Sequence, residues 1–358
     1  MKRKLICFIA HAPHFESCLP ILAAVHNRGN VEVVPIVNKR FKKTEKNLLT
    51  SFENIGLKPN FKSRLYIELL SFIAMRDADA ILTYGDPLAL SNTIRPRDRY
   101  LVSSGIPSIF IQHGLFQYGV NYDADFIQKN WYATRILWWE EYEPIKAPFI
   151  TAEVANRIRK VGFIKKNFQN PRKFSPGLMD FIHSFNRRLL ICTTFDHEDR
   201  FDKENLIKTY NMFEQFCIKN PDVLLLLRPH RGKHKSRSKE FDEALNNKYK
   251  NVILMDRYSG EFSYCNIHDC LAISDMMIAH AGSAALDGVY SNLPTAVLFN
   301  DYESLNGLPE ISSLKNLTQF CETAGSYDVL NNETRKIFGE LNENIDRAAA
   351  CIEEIMLQ

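Results

Sequence analysis

The strongest constraint on the fold is the alternation of short apolar runs with helical patterns along the whole chain. Apolar runs typical of buried strands span residues 5–10, 31–37, 80–84, 108–112, 136–139, 189–195, 223–227, 252–255, 276–279 and 295–299. Helical patterns lie between them, at 15–28, 64–75 and 204–219 among others. Strands that alternate with helices predict parallel sheets with crossover helices, so the predicted fold class is α/β.

The length of 358 residues predicts two domains. A polar, basic stretch with two prolines, IKKNFQNPRKFSPG, has the composition of a linker. We therefore predict one domain over 1–167 and a second over 168–335. An amphipathic helix over 336–358 closes the chain, because apolar residues recur there three or four apart. Those residues are Ile337, Leu341, Ile345, Ala348, Ile352 and Ile355.

The formal net charge of +3 argues against a general nucleic-acid binder, although positive charge is concentrated in two places. Residues 156–173 carry seven Lys and Arg without an acid, and residues 231–239 carry five. Such clusters form either solvated faces or surfaces that attract an anionic substrate or membrane. They predict a peripheral contact with the inner membrane.

Cysteine usage and hydropathy indicate the compartment. The eight cysteines include no CxxC pair, which favours a reducing cytoplasm. The opening MKRKLICFIAHAP has too short an apolar run for a signal peptide and is interpreted as the first strand. No run approaches the roughly 20 apolar residues of a spanning helix. We expect a cytoplasmic protein that reaches the membrane only from its cytoplasmic face.

Two histidines follow predicted strands, one in each half of the chain. His113 follows SIFIQ, and His230 follows VLLLL within Arg228-Pro229-His230. Ligands of open α/β sheets bind at the carboxyl ends of strands, although a lone histidine there is commonly a hydrogen-bonded loop residue. An imidazole with a pKa of about 6.5 can take a proton from a hydroxyl, and Arg228 with His230 can hold phosphate oxygens. Gly114 would let a ligand approach the backbone beside His113.

A third motif is SDMMIAHAGSAALDGVYSNLPTAVLF, residues 274–299. It predicts a strand, a loop of small residues, a helix and another strand. The helix start after Gly282 would point free amides and the helix dipole at one spot, as in a phosphate site. The alternative is purely structural, with small residues that allow close packing and Ser283 as the N-cap.

Together, QHG, LRPH and the 274–299 segment resemble the GT-B transferases of bacterial surface-polysaccharide synthesis. They are most similar to the CDP-glycerol glycerophosphotransferases that build teichoic-acid-like polymers. The resemblance implies two Rossmann-like domains whose parallel sheets face each other across a cleft, with the nucleotide mainly on the second. It implies that His113 and His230 are catalytic, with His113 as the base. It also implies that Arg228, Gly282, Ser283 and Asp287 serve the donor and its phosphates.

The sequence departs from the family pattern at three places. His280-Ala281-Gly282-Ser283 stands where the family has Asp-Tyr-Ser-Ser, Arg231 replaces a proline, and Gln112 replaces an aromatic residue. The donor therefore stays open between a CDP-polyol, a CMP-sugar and a UDP-sugar. His280 either reaches a phosphate or packs in the core.

Several weaker signals complete the set of candidate residues. Asp86 follows the strand AILTY and, with Gly114, is a candidate for the acceptor side. Two DxD patterns, Asp77–Asp79 and Asp123–Asp125, are typical of metal-dependent transferases. We expect no metal and no cofactor, because basic side chains and a helix dipole can neutralise donor phosphates. Trp131, Trp138 and Trp139 either stack on sugars or form core.

The sequence thus predicts a metal-independent transferase. It would move a polyol-phosphate or glycosyl unit from a nucleotide donor, with cytidine favoured, to a hydroxyl of a glycan or polyol-phosphate polymer such as capsule or teichoic acid. The alternatives are a CMP- or UDP-sugar glycosyltransferase of capsule or O-antigen synthesis, a non-hydrolysing sugar-nucleotide epimerase, and a non-catalytic nucleotide- or glycan-binding protein. No nucleic-acid partner is expected.

Overall fold

The protein is described from a computed structural model. It describes residues 2–10, 12–44, 46–83, 96–116, 131–141, 151–168, 171–194, 201–230, 238–256, 258–323 and 328–357. The chain divides into two compact units, of which the first combines Met1–Gln169 with Phe338–Gln358 and the second is Asn170–Ile337. Each unit is built on one parallel sheet, so the α/β prediction is confirmed.

The first unit holds a seven-stranded parallel sheet of order β3-β2-β1-β4-β5-β6-β7. Its strands are β1 (Arg3–Ile9), β2 (Val31–Asn38), β3 (Asn60–Lys62), β4 (Ala80–Thr83), β5 (Ser108–Ile111), β6 (Arg135–Trp138) and β7 (Ile158–Lys160). Its helices are α1 (Ala12–Arg28), α2 (Phe41–Thr44), α3 (Lys46–Asn54), a π-helix (Tyr66–Leu70), α4 (Phe72–Met75), α5 (Pro96–Ser104) and α6 (Ala152–Arg157).

All three tryptophans lie in the core of the first unit. Trp131, Trp138 and Trp139 are at most 3% exposed. The Trp131 ring lies 5.8 Å from Phe110 and 6.1 Å from Trp138 between centroids. Of the two interpretations of these residues, core packing is therefore the one that the structure supports.

The end of the chain forms two helices instead of one. The helix α13 (Asp328–Phe338) stops at Gly339, and α14 (Leu341–Leu357) begins two residues later. Gly339 has a φ of +76°, and a Cβ there would come within 2.4 Å of Asn344 Oδ1. The regular apolar spacing hid this break, and Ile337 is 37% exposed rather than part of the buried stripe.

A buried asparagine joins the two pieces of the first unit. Asn344 Nδ2 donates to the carbonyl oxygens of Phe163 at 2.9 Å and Phe338 at 2.7 Å. Gly162, with a φ of +86°, passes so close to Asn344 that a Cβ would lie 2.3 Å from its side chain. The helix α14 also packs along α1 and β1, which fixes it to the first sheet.

The second unit holds a six-stranded parallel sheet of order β10-β9-β8-β11-β12-β13. Its strands are β8 (Arg187–Thr193), β9 (Val223–Pro229), β10 (Val252–Leu254), β11 (Met276–His280), β12 (Thr295–Leu298) and β13 (Glu310–Ile311). Its helices are α7 (Pro176–His183), α8 (Lys203–Lys219), α9 (Lys239–Lys248), α10 (Ile267–Leu271), α11 (Ser283–Tyr290), α12 (Leu314–Thr323) and α13.

The two faces of this sheet are covered by different helices. Leu189, Ile191 and Ile278 point to the face that packs with α8 and α12. The neighbouring positions alternate to the other face, which α11 covers. There Gly288 permits a close approach, because a Cβ would lie 2.8 Å from Met277 Sδ and 2.6 Å from Thr295 Oγ1.

Predicted and observed strands agree where the apolar run is long. Each predicted strand coincides with an observed one to within two residues over the described part of the chain. Three short strands were missed, namely β3 (NFK), β7 (IRK) and β13 (EI). They lie at sheet edges and have too few apolar residues to show a strand period.

Candidate functional site at the strand ends

In the second unit, Arg228 and Asp287, two of the residues predicted to bind the donor substrate, lie near one buried thiol. Register places Arg228 beside Cys192 and Cys192 beside Ala279, so all three point to the α11 face. Burial raises the pKa of Cys192 to about 12, and the Arg228 guanidinium, which hydrogen-bonds the thiol, opposes the rise. Asp287 and Cys270 add to it. Arg228 and the buried Asp287 therefore lie within electrostatic range of the same sulfur.

The start of α11 lies at the same edge of the sheet. Gly282 is the N-cap in extended conformation (φ 167°, ψ 179°) and gives no side-chain cap bond, while the half-buried Ser283 is the first helical residue. The N-cap alternative for Ser283 is thus wrong, because the preceding glycine takes that place. A glycine leaves the first-turn amides without a side-chain acceptor, which suits an anionic ligand.

His280 occupies the opposite face of the sheet. It pairs in register with Leu298, a member of the α8-side core, and is 2% exposed. Its Nδ1 accepts a 2.8 Å hydrogen bond from Thr194 N, and its ring centroid lies 4.1 Å from that of Phe201. The structure brings Arg228 and Asp287 together and does not bring His280 to them. A phosphate contact of His280 stays a prediction.

A buried polar network beside β8 was missed from the sequence. Tyr210 donates to Asp242, and Ser238 Oγ lies 3.0 Å from the same carboxylate. Burial and Asp242 raise the pKa of Tyr210, while Ser238 and Thr193 lower it, which places Thr193 in the network. This network fixes the start of α9, directly after the basic residues 231–237, which lie outside the described part of the chain.

In the first unit, the loop that carries His113 is fixed by its neighbour Gln112. Gln112 is fully buried; its Nε2 donates to Gly114 O at 3.0 Å, and its Oε1 accepts from Trp139 N at 2.6 Å. This carboxamide ties the end of β5 to the end of β6. Gln112 thus has a structural role, and it fixes the backbone from which the half-buried His113 leaves the strand.

Two further titratable residues stand at this edge. His14, in the first turn of α1, lies 5.1 Å from His113 between ring centroids in an edge-to-face arrangement. Glu140, 1% exposed, directly follows Trp139 at the end of β6. Neither was singled out from the sequence. Glu140 follows a strand in the same way as His113, within LWWEE, whereas His14 lies in the helix that follows the first strand, within AHAPHF.

The remaining candidates are distributed as follows. His230 is exposed at the carboxyl end of β9, and Gly114 is buried in the Gln112 loop. Asp86 lies outside the described residues, as do Asp123 and Asp125. Asp79 accepts the backbone amide of Lys4 at 2.7 Å at the amino-terminal edge, so it ties β4 to β1. In the described part of the chain, no group of His, Cys, Asp or Glu has a metal-binding arrangement.

Much of the first basic cluster is engaged in the fold. Arg157 donates to Ala133 O at 2.9 Å, Lys160 pairs with Glu141 at 3.2 Å, and Lys166 donates to Asn342 at 2.9 Å. Lys165 is 6% exposed, and Arg172 donates to Ser263 O at 2.5 Å. Of the second cluster, only residues 238 and 239 are described, and Lys239 pairs with Glu243 at 3.6 Å.

Solved structures share this architecture over nearly the whole chain. An S. aureus MnaA–UDP co-structure has a TM-score of 0.67 at 13% identity, and the match covers 98% of this chain and 95% of that structure's chain. The UDP-GlcNAc 2-epimerase of Neisseria meningitidis bound to UDP-GlcNAc gives 0.62 at 15%, covering 99% of both chains. A glycosyltransferase from Rickettsia africae gives 0.59 at 12%, covering 99% of both. The chain has a GT-B fold.

The comparisons confirm the fold prediction and leave the finer resemblance as a prediction. The similar structures named above include a UDP-GlcNAc 2-epimerase and a glycosyltransferase, and they do not show the CDP-glycerol transferase family. No protein-family model matches the chain, and no curated protein matches it. Among the described residues, no helix has both the length and the hydropathy needed to cross a bilayer.

Proposed function

We propose that this protein is an enzyme that binds a nucleotide-activated sugar or polyol at the carboxyl edge of the second sheet. The observation that carries the proposal is the convergence of Arg228, Asp287 and the first turn of α11 on one face of that edge. Because β8 lies between β9 and β11, the backbone positions of Arg228 and Ala279 are about 10 Å apart.

Each element there has a defined chemical role. Arg228 offers a planar, permanently charged donor for phosphate oxygens. Gly282 and Ser283 place backbone amides and the positive end of the α11 dipole beside them. To Asp287, which acts on the same Cys192 sulfur as Arg228, we assign the orientation of that guanidinium. With a fixed cation and a helix start supplying positive charge, this site does not require a metal ion or another cofactor.

For the reaction we favour group transfer, with His113 as the base. His113 Nε2 or Nδ1 takes the proton of an acceptor hydroxyl as its oxygen attacks the distal phosphorus of a CDP-polyol. The new oxygen–phosphorus bond forms while the bond to CMP breaks, and CMP leaves with the electron pair. Arg228 and the α11 amides balance its charge. His230 would assist there. A CDP-polyol and a polymer acceptor of the teichoic-acid or capsule type rest on the resemblance of QHG, LRPH and 274–299.

A second candidate is epimerisation of a nucleotide sugar, and one observation favours it. Epimerisation removes a proton from a sugar carbon and returns one to the other face, which calls for acid–base groups beyond a single histidine. Glu140 at the end of β6 and His14 beside His113 are such groups at the edge that delivers His113. UDP-GlcNAc 2-epimerases are among the similar structures.

Nucleotide binding is tested by a thermal-shift panel of CMP, CDP, UDP and GDP. A ligand at 100 times its dissociation constant that binds only the folded state stabilises by about 2.7 kcal/mol, which ranks the bases. We expect a pyrimidine diphosphate to rank first and Arg228→Gln to abolish its shift. Arg187→Gln, at the amino end of β8, is the matched control. If no nucleotide shifts the native protein, the proposed site is wrong.

The two reactions separate by the fate of a carbon-bound proton. In deuterium oxide, an epimerase incorporates solvent deuterium into UDP-N-acetylglucosamine, which NMR detects as a lost proton signal. A transferase leaves that proton in place and releases CMP or UDP only with an acceptor polymer. Binding without either product would indicate a nucleotide-binding protein that lacks catalysis.

A further inference from the structure

The first unit has a concentrated patch of exposed apolar side chains. Leu65, Leu69, Leu70 and Ile73 are 63, 41, 43 and 50% exposed. They follow β3 and lie along the π-helix Tyr66–Leu70 and α4, within nine residues of one another. Isolated exposed leucines are ordinary, but four in one short helical segment form a contiguous patch that is typical of an interaction site.

The opposite face of the same segment already packs in the core. Ile67, Ser71 and Met75 are fully buried and repeat at every fourth residue. Leu65, Leu69 and Ile73 repeat at the same interval, offset by two residues, and therefore lie on the other side of the helix. A helix that is apolar on both sides is normally covered on both sides. The core covers only one of them.

Strong positive charge adjoins the exposed face. Residues 38–65 contain eight Lys and Arg and two Glu, a net charge of +6, against +3 for the whole chain. The described cations of this stretch are Lys39, Arg40, Lys42, Lys43, Lys58, Lys62 and Arg64. All except Lys62, which is half-buried, are exposed.

The charged and apolar parts are physically continuous. Lys62 Nζ lies 5.1 Å from the ring centroid of Tyr66, the first residue of the π-helix. Its carbonyl accepts the amide of Lys39 at 2.8 Å, which joins the end of β3 to the cations that follow β2. The acid on the helix, Glu68, pairs with Arg64 at 2.7 Å and neutralises that one cation, which leaves a net charge of +5 over residues 38–68.

We propose that this basic–apolar surface, formed by Leu65, Leu69, Leu70, Ile73 and the cations of 39–64, binds an anionic lipid bilayer. Leucine and isoleucine side chains would enter the acyl boundary while Lys and Arg contact the headgroups. A second copy of the chain fits less well. A two-fold interface brings the same patch against itself and would oppose two clusters of like positive charge. None of these residues belongs to the basic cluster at 156–173.

The test is vesicle co-sedimentation of the full chain without nucleotide, so that its outcome is independent of the proposed enzyme. Vesicles of phosphatidylcholine alone are compared with an equal mixture of phosphatidylglycerol and phosphatidylcholine. We expect binding only to the mixture. Leu65→Ser/Leu69→Ser/Ile73→Ser should weaken it at least about tenfold. Removal of a single positive charge should weaken vesicle binding by about fivefold, as tested with Lys39→Gln, Arg40→Gln and Lys43→Gln. In 1 M salt the difference between these variants and the native protein should become smaller.

A matched control lies at the end of α8 in the second unit. Ile218, 61% exposed, precedes the exposed Lys219, so Ile218→Ser/Lys219→Gln removes the same kinds of group elsewhere. It should leave vesicle binding unchanged, and thermal melts verify that every variant is folded. The proposal is overturned if the native protein ignores the anionic vesicles, or if the control loses as much binding as the triple variant. It is also overturned if the patch proves to be a dimer interface. In that case the native protein would be a dimer that binds no vesicles, and the triple variant would be a monomer.

Discussion

The two sheets have the same parallel build but carry different chemistry at their carboxyl edges. At the edge of the second unit, beside His230 and His280, the Arg228 guanidinium and a Cys192 thiol whose pKa is raised to about 12 keep a fixed protonation near neutral pH. The edge of the first unit holds two imidazoles in contact, His14 and His113. Imidazole is the side chain that ordinarily changes charge between pH 5 and 8.

This difference indicates that the two edges have separate roles in the proposed reaction, the second in nucleotide binding and the first in proton transfer. Fixed charge suits the binding of phosphates, because its strength does not vary with pH in the working range. Titrating groups suit proton transfer. Variants of the second edge should therefore change affinity for the nucleotide, and variants of the first edge should change turnover.

The largest expected effect is on turnover. His113→Ala should lower kcat by about 100- to 10,000-fold, the usual contribution of a general base, and leave the nucleotide-induced thermal shift intact. Steady-state kinetics with the donor identified by the binding panel measure the loss. The control is His183→Ala, an exposed histidine of α7, which should match the native protein. Equal activity in His113→Ala and the control would remove the base assignment and with it the proposed division.

The units also differ in how the chain builds them, since only the first is made of two separate pieces. Asn344→Ala removes the donor to two buried carbonyls and should cost about 2–4 kcal/mol of unfolding free energy. Urea unfolding measures the total, and hydrogen exchange should show the loss in the first unit. Asn342→Ala, which removes only an exposed contact with Lys166, should change stability by less than about 0.5 kcal/mol. A uniform loss in both units would contradict this account.

The sequence predicts those features of the molecule that a short stretch of chain encodes by itself. It does not predict features that depend on contacts between distant stretches. Strands such as β8 and β9 can be predicted from the sequence because a buried parallel strand is a continuous apolar run. His113 and Arg228 are readable because each directly follows such a run. The contact of His14 with His113 and the bridge from Gln112 to Trp139 depend on which strands are neighbours. No local pattern contains that information.

Other features could not be predicted because the local sequence pattern is compatible with two different structures. FGEL continues the apolar spacing of the C-terminal helix, yet Gly339 ends one helix and separates it from the next. His280 reads equally well as a phosphate ligand or a core residue. Its side of the sheet depends on strand register, because a shift by one residue exchanges the faces. For the same reason, the sequence does not show that His280 and Asp287, although close in the chain, lie on opposite faces of the sheet.

An intermediate effect is expected on nucleotide affinity. Arg228→Gln should weaken binding by about 10- to 100-fold, as for the loss of a hydrogen bond to a charged group. Because Arg228 also balances the charge on the departing CMP, kcat at saturation should fall as well, but by less than in His113→Ala. Arg228→Lys should recover only part, because Lys lacks the planar fork. Isothermal titration measures the affinities, with Arg187→Gln as the control. If Arg228→Gln lowers kcat as strongly as His113→Ala, the two edges do not divide binding from proton transfer.

The smallest expected effect concerns the pH dependence of stability and follows from the raised pKa of Cys192. Below about pH 9 the thiol is protonated in both states and its contribution is fully present. As pH rises toward 12 the unfolded chain releases the proton while the folded protein keeps it, so stability falls. At pH 10 the loss is about 1 kcal/mol. Cys192→Ala should remove this share of the loss between pH 8.5 and 10 in urea titrations.

The control separates titration from packing. Val297→Ala creates a cavity on the same face of the sheet, in register with Ala279, without removing a titrating group. Its cost should be the same at pH 8.5 and pH 10, whereas Cys192→Ala should cost less at the higher pH. Identical pH dependence in the two variants would mean that the thiol beside Arg228 ionises as readily folded as unfolded. The thiol beside Arg228 would then lose its proton near pH 9, and the contrast between this pair and the imidazoles of the first edge would be smaller.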